Sequence, residues 1–99
     1  MTKLAMEFLP GASAPTQGKV TVTAVSTTLL PAKRRAYLLL QNNSGSDIFI
    51  RLDGGTAVAD ATSFKVVSGG SLELTTYLSS LAVTGIVSAG TEDLTYLEA

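Results

Sequence analysis

At 99 residues the chain is long enough for one small domain and too short for two. It contains 0 Cys, 0 His and 0 Trp, which excludes disulfide and thiolate chemistry and removes the commonest general base and metal ligand. A net charge of -1, with 15% charged and 45% apolar residues, gives no global attraction for nucleic acid or an acidic membrane.

A domain of this size buries only about two-thirds of its unfolded surface. Without disulfides or metals, association with other chains is the remaining route to extra burial. The low charge points the same way, because a charged share of about a quarter is usual. A Ser/Thr-rich polar surface accounts for it equally well.

Residues 1–18 read as an extended N-terminal arm. Pro10, Gly11, Pro15 and Gly18 interrupt any regular element. Leu4, Met6, Phe8 and Leu9 make its first half apolar, whereas a free tail is normally polar. Such an arm is expected to lie in a groove, on its own domain or on a neighbour. "MTKLAMEFLPG" lacks the continuous apolar core of a secretory leader, since Glu7 interrupts it. No apolar run approaches the roughly 20 residues that span a bilayer. The absence of Cys fits synthesis in a reducing cytoplasm.

From Lys19 to Ala99 the sequence reads as one domain of short strands. "KVTVTAV" alternates Val20 and Val22 against Thr21 and Thr23, the period of a half-buried strand. "STTLL" follows and stops at Pro31. "RRAYLLLQN" and "DIFIRL" are the next two strands, and Asp53-Gly54-Gly55 is a turn. "TAVADATSF" forms a helical turn at most. "TSFKVV" leads to the turn Ser68-Gly69-Gly70, and "SLELT" alternates Leu72 and Leu74 around Glu73. "LAVTGIVSA" carries a mid-strand Gly85 of the kind that marks a bulge. "EDLTYLE" closes the chain. Seven or eight short strands at this spacing predict an all-β fold, a small antiparallel β-sandwich or a jelly-roll-like barrel.

Between the two most apolar strands sits the polar knot "QNNSGSD", Gln41 to Asp47. Asn, Ser, Gly and Asp tolerate left-handed backbone or bond their own backbone two residues on, and a turn needs nothing more. The run Tyr37, Leu38, Leu39 and Leu40 cannot place all its side chains on one side of a strand, so both faces require cover.

Catalytic constellations are absent from this pattern. A nucleophilic triad lacks its His, and no spacing supports a Ser-Lys pair with Lys19, Lys33 or Lys65. Most of the carboxylates (Glu7, Asp47, Asp53, Asp60, Glu73, Glu92, Asp93, Glu98) fall in turns or at strand ends, where solvated acids are expected. A Ca²⁺ loop would need acids on alternate residues with a glycine. No phosphate loop is present, and nothing calls for a cofactor. Asn42-Asn43-Ser44 is a glycosylation sequon without a secretory context. Lys33-Arg34-Arg35 is the one basic cluster; a solvated strand start or an acidic partner surface suits it better than phosphate. Tyr37, Tyr77 and Tyr96 offer stacking surfaces, though packing is the commoner use of so few aromatics.

The run "LPAKRRAYLLLQNNSGSDIFIRLDG", then "VVSGGSLELT" and "VTGIVSAGTEDLTYLEA", resembles small β-rich proteins encoded among the structural genes of tailed phages and prophages. The matching residues are Arg35, Leu38 to Ser44, Asp47 to Ile50, Gly69 to Leu74, Thr84 to Ile86, Ala89-Gly90 and Leu94 to Glu98. They span most of the chain after Thr28. Val83 stands where the family often has proline.

The resemblance implies a non-enzymatic virion component without saying which virion surface is bound; the capsid surface is the expected location, after synthesis in the host cytoplasm. It would be a decoration or cement protein that stabilises the coat lattice, or a carbohydrate- or receptor-binding module on a head or tail fibre. The implied partners are the major capsid protein and further copies of itself, with a trimer suited to local threefold sites. Neither nucleic acid nor membrane is expected as a partner. The residues expected to dock are Leu4, Met6, Phe8 and Leu9 of the arm, with Lys33, Arg34, Arg35 and Tyr37.

Overall fold

The structure, a computed structural model, describes residues 15–75 and 81–99. Eight strands run in chain order: β1 Thr16–Thr23, β2 Thr27–Leu30, β3 Tyr37–Gln41, β4 Ile48–Arg51, β5 Phe64–Val66, β6 Ser71–Thr75, β7 Val83–Ile86 and β8 Thr91–Glu98. They form two four-stranded antiparallel sheets, β1-β8-β3-β6 and β2-β7-β4-β5. The pairs β1–β8, β2–β7, β3–β6 and β4–β5 are nested, as if one long hairpin had been rolled into two layers. This is the jelly-roll sandwich that the strand spacing predicts.

Alternation builds the core. Val22, Leu94, Leu38 and Leu40 point inward from the first sheet, and Leu30, Val83, Ile48, Ile50 and Val66 from the second. Each is nearly inaccessible, so each adds about 1.5–3 kcal/mol of apolar burial. Tyr37 and Leu39, on the other face of β3, remain half-buried, so only one face of that strand is fully covered within the chain.

Three details depart from the sequence reading. Thr16, Gln17 and Gly18, expected in the arm, already belong to β1. Gly18 lies opposite Tyr96 and lets the phenol ring lie over the backbone, where a Cβ would come within 3.1 Å of its hydroxyl. Second, β3 begins at Tyr37 rather than at Arg34, because Ala36 N–H and Tyr37 N–H both donate to the Ala99 carbonyl. Third, the irregularity expected at Gly85 falls on the partner strand, between Thr28 and Leu30 of β2. The shift buries Leu29 and Leu30 together. Gly85 makes room for it: a Cβ there would lie 2.5 Å from Leu29 Cδ1.

The turn signals hold. Gly54 and Gly69 take φ of 79° and 80°, the left-handed backbone that glycine permits without strain. The 52–63 connection lies against β7, with Thr84 Oγ1 donating to the Gly55 carbonyl and Ala57 N–H to Ser26 Oγ.

Candidate docking surface

The basic cluster splits into two roles. Arg35 is 4% exposed and ion-paired with the equally buried Glu98, Nε to Oε1 at 3.0 Å. Its other nitrogens donate to the carbonyls of Pro31 at 2.9 Å and Leu81 at 3.3 Å. These bonds join the exit of β2, the approach to β7 and the end of β8. Arg35 is therefore a correction to the expected docking set: its charge is spent inside the fold. Glu98 corrects the expectation of a solvated strand-end acid in the same way.

With Arg35 turned in, its neighbours turn out. Arg34 is exposed, and Lys33 is partly exposed with Nζ 3.3 Å from Glu98 Oε2. The β2–β3 connection thus presents Lys33 and Arg34 at one end of the sandwich.

Next to it lies the outward face of the first sheet. Leu39 and Leu97 are directly opposed there, Gln17 faces Leu97 on the other side, and Gln41 faces Thr95. A shallow depression of about 160 Å³ lies among Gln17, Leu39, Gln41, Thr95 and Leu97. Tyr37 stands on the same face and donates its hydroxyl to Glu73 Oε2 at 2.7 Å. That hydrogen bond, with desolvation and the carboxylate charge, raises the Tyr37 pKa above its ordinary value. The face holds half-buried apolar side chains among polar ones, with Glu73 opposite Leu39 and the exposed Lys19–Asp93 pair farther along, a mixture that suits a protein contact. Tyr37 was legible as a candidate. Leu39 and Leu97 were not singled out, although the unbroken apolar run around Leu39 was the signal.

The polar knot is more than a turn. Asn42 is fully buried, and its Nδ2 donates to the carbonyls of Ser46 at 2.7 Å and Val66 at 2.8 Å. Its Oδ1 accepts from Ser44 N–H at 2.9 Å and Ser44 Oγ at 2.6 Å. Its backbone bonds Gly70 and Gly69. All four hydrogen-bonding positions of the amide are filled. Asn42 is therefore unavailable to a ligand or a glycan, while Asn43 is exposed.

The described carboxylates are engaged locally. Asp93 accepts from Lys19 and Thr21, Glu92 from Ser46, and Asp47 from Ser68 N–H. The Arg51 guanidinium and Gly55 N–H hold Asp53 down to about 2. Hydrogen bonds from Thr62 lower the Asp60 pKa. For Asp53 and Asp60 the shift is downward, the opposite of what a general acid at neutral pH requires. Among the described residues, no group of three or more His, Cys, Asp or Glu converges on a possible metal position. No described helix is long and apolar enough to cross a membrane. Leu4, Met6, Phe8 and Leu9, and also Tyr77, lie outside the described residues.

The chain is a jelly-roll domain with half-buried apolar side chains on the outward face of its first sheet. No protein-family model matches the chain, and comparison with curated proteins returned no match. Among solved structures, the chain is similar to the stem and receptor-binding domain of the spike protein P1 from bacteriophage PM2. The identity is 18% and the TM-score 0.57, over 82% of this chain and 31% of that one. The chain thus spans about a third of the spike chain. It is also similar to a Bacillus endospore appendage that forms disulfide-linked pili (17% identity, TM-score 0.47, 91% and 90% of the two chains). A further similarity is to RmlC from Streptococcus suis (12%, 0.49, 99% and 53%).

Proposed function

We propose that this protein is a structural component of a phage virion that decorates the head and binds the coat-protein lattice. The observation that carries the reading is the presented surface: Lys33 and Arg34 project beside a face on which Tyr37, Leu39 and Leu97 lie half-buried among polar side chains. The "LLLQNNSGSDIFI" resemblance and the fold shared with a phage spike domain support the same setting. The two cations meet an acidic coat surface, and the half-buried Tyr37, Leu39 and Leu97 supply burial. Occupation of local threefold sites by a trimer raises avidity without a large contact per copy.

Co-sedimentation with purified heads tests this. The protein should pellet with heads, and Lys33→Glu/Arg34→Glu should weaken binding on the order of tenfold, as loss and reversal of charge at a contact does. Binding that is absent, or indifferent to both substitutions and to salt, overturns the reading.

The receptor-binding domain in the PM2 spike favours a second reading, a small receptor- or carbohydrate-binding module on a head or tail fibre. In that case the depression beside Leu39 and Leu97, with Tyr37 and Asn43 near it, is the contact. Adsorption to host cells that is lost in Tyr37→Ala but kept in Lys33→Glu/Arg34→Glu favours this module over the head protein.

A further inference from the structure

Asp53-Gly54 is the one place in the chain where an Asp or Asn precedes a glycine. Glycine has no Cβ, so its amide nitrogen is poorly shielded and free to approach the side chain before it. The Asp53 side chain is 56% exposed, and Gly54 takes φ of 79° in the turn after β4. Yet the carboxylate is held on every side. Arg51 grips both oxygens, Nε to Oδ1 at 3.0 Å and Nη2 to Oδ2 at 2.6 Å. Gly55 N–H donates to Oδ1 at 2.9 Å. Gly55 also lets the fork lie close, since a Cβ there would come within 3.1 Å of Arg51 Cζ and Asp53 Oδ1. The exposed Asn43-Ser44 pair differs, because Ser44 N–H is already given to Asn42 Oδ1.

We propose that Asp53-Gly54 is this chain's site of spontaneous isoaspartate formation, and that the Arg51 fork keeps it dormant. In the reaction the Gly54 amide nitrogen bonds to Asp53 Cγ. One carboxyl oxygen leaves as water, carrying the carboxyl proton and the amide proton, and a cyclic imide remains. Water then opens the imide at either carbonyl. Attack at Cγ breaks the new bond and restores aspartate. Attack at the main-chain carbonyl of Asp53 breaks its bond to the Gly54 nitrogen and leaves the chain joined through Cγ. One water is lost and one regained, so the mass does not change. The first step needs the neutral carboxyl, because a carboxylate resists a nucleophile. The fork opposes that step in two ways. It stabilises the anion, and Asp53 is held down to about 2. It also fixes Cγ through charge-assisted hydrogen bonds, so the carboxyl cannot swing onto the Gly54 nitrogen. Isoaspartate would lengthen the main chain by a methylene between β4 and Gly55, whose carbonyl accepts from Thr84 Oγ1 at 2.6 Å. Conversion at Asp53 therefore loosens the contact of this loop with β7.

Ageing of the full chain in mildly acid buffer tests this, with isoaspartate counted by a methyltransferase specific for it and located by fragment masses of the digested protein. Arg51→Gln should accumulate isoaspartate at residue 53 on the order of tenfold faster than the unsubstituted chain. Arg51→Lys keeps the charge without the fork and should fall between them. The pH profile separates this from a loop that is merely loosened. In the unsubstituted chain the rate should go on rising as pH falls below the ordinary carboxyl value of 3.8, whereas in Arg51→Gln it should level off near that value. A loosened loop would raise the rate without moving the profile. Equal rates in the three proteins, an unmoved pH profile, or isoaspartate that forms first at Asp47, Asp60 or Asp93 overturns the proposal.

Discussion

Arg35 and Asn42 stand just beyond the two ends of β3, and each ties its end of that strand to the opposite sheet. Arg35 reaches the Pro31 carbonyl after β2 and the Leu81 carbonyl before β7, while holding Glu98 of β8. Asn42 reaches Ser46 before β4 and Val66 at the end of β5. The two layers are thus held by apolar contact in the middle and by buried polar clamps at both ends. A sandwich without disulfides gains a fixed register between its sheets in this way.

Glu98→Ala should be among the most damaging single changes. It leaves the Arg35 charge buried without its carboxylate, a loss of about 3–5 kcal/mol in urea unfolding. Glu98→Gln keeps a hydrogen-bond acceptor and should lose less. An apolar pair, Arg35→Met/Glu98→Leu, should recover only part of the loss, because the Pro31 and Leu81 carbonyls lose their donors.

Asn42→Ala removes the buried donor to the Val66 carbonyl, at about 1–3 kcal/mol for a group left unsatisfied, whereas the Ser46 carbonyl keeps Ser44 Oγ. Asn42→Asp should be worse than alanine despite its matching shape. A carboxylate cannot donate, so it would aim negative charge at the Ser46 and Val66 carbonyls. Thermal unfolding of the two variants gives the order directly.

Gly85→Ala should destabilise by about 1–3 kcal/mol through overpacking against Leu29. Truncating that neighbour should restore the space. In a double-mutant cycle, Gly85→Ala and Leu29→Ala should cost less together than the sum of the two singles, whereas additivity would mean the two sites do not touch.

Asp53 has a folded-state pKa of about 2, below its ordinary 3.8. A depressed carboxylate contributes stability that is present above the unfolded value and lost as pH falls through the folded one. Wild type should therefore exceed Asp53→Asn in stability at pH 7. The gap should close between about pH 4 and pH 2, measured by denaturant unfolding across that range. The effect is small, because this Arg51–Asp53 pair is solvent-exposed.

The strands were legible because each has a local signature: Val20 and Val22 alternate with threonines, and Gly54 and Gly69 sit where turns require positive φ. The roles of polar residues were not. Lys33, Arg34 and Arg35 are adjacent and equally basic, yet only Arg35 turns inward. Its buried partner, Glu98, lies 63 positions away in sequence. Asn42 reads as turn chemistry, since its Asx bond to Ser44 is local; its clamp on Val66 spans 24 positions.

Composition and period-two patterning by themselves determined an all-β sandwich without cysteine or histidine chemistry, because both follow from residue type and near-neighbour spacing. Only the tertiary structure decided which polar groups are consumed inside the fold and which face outward. That choice depends on which distant donors and acceptors the rolled hairpin brings to each end of β3, and burial makes every such group find a partner.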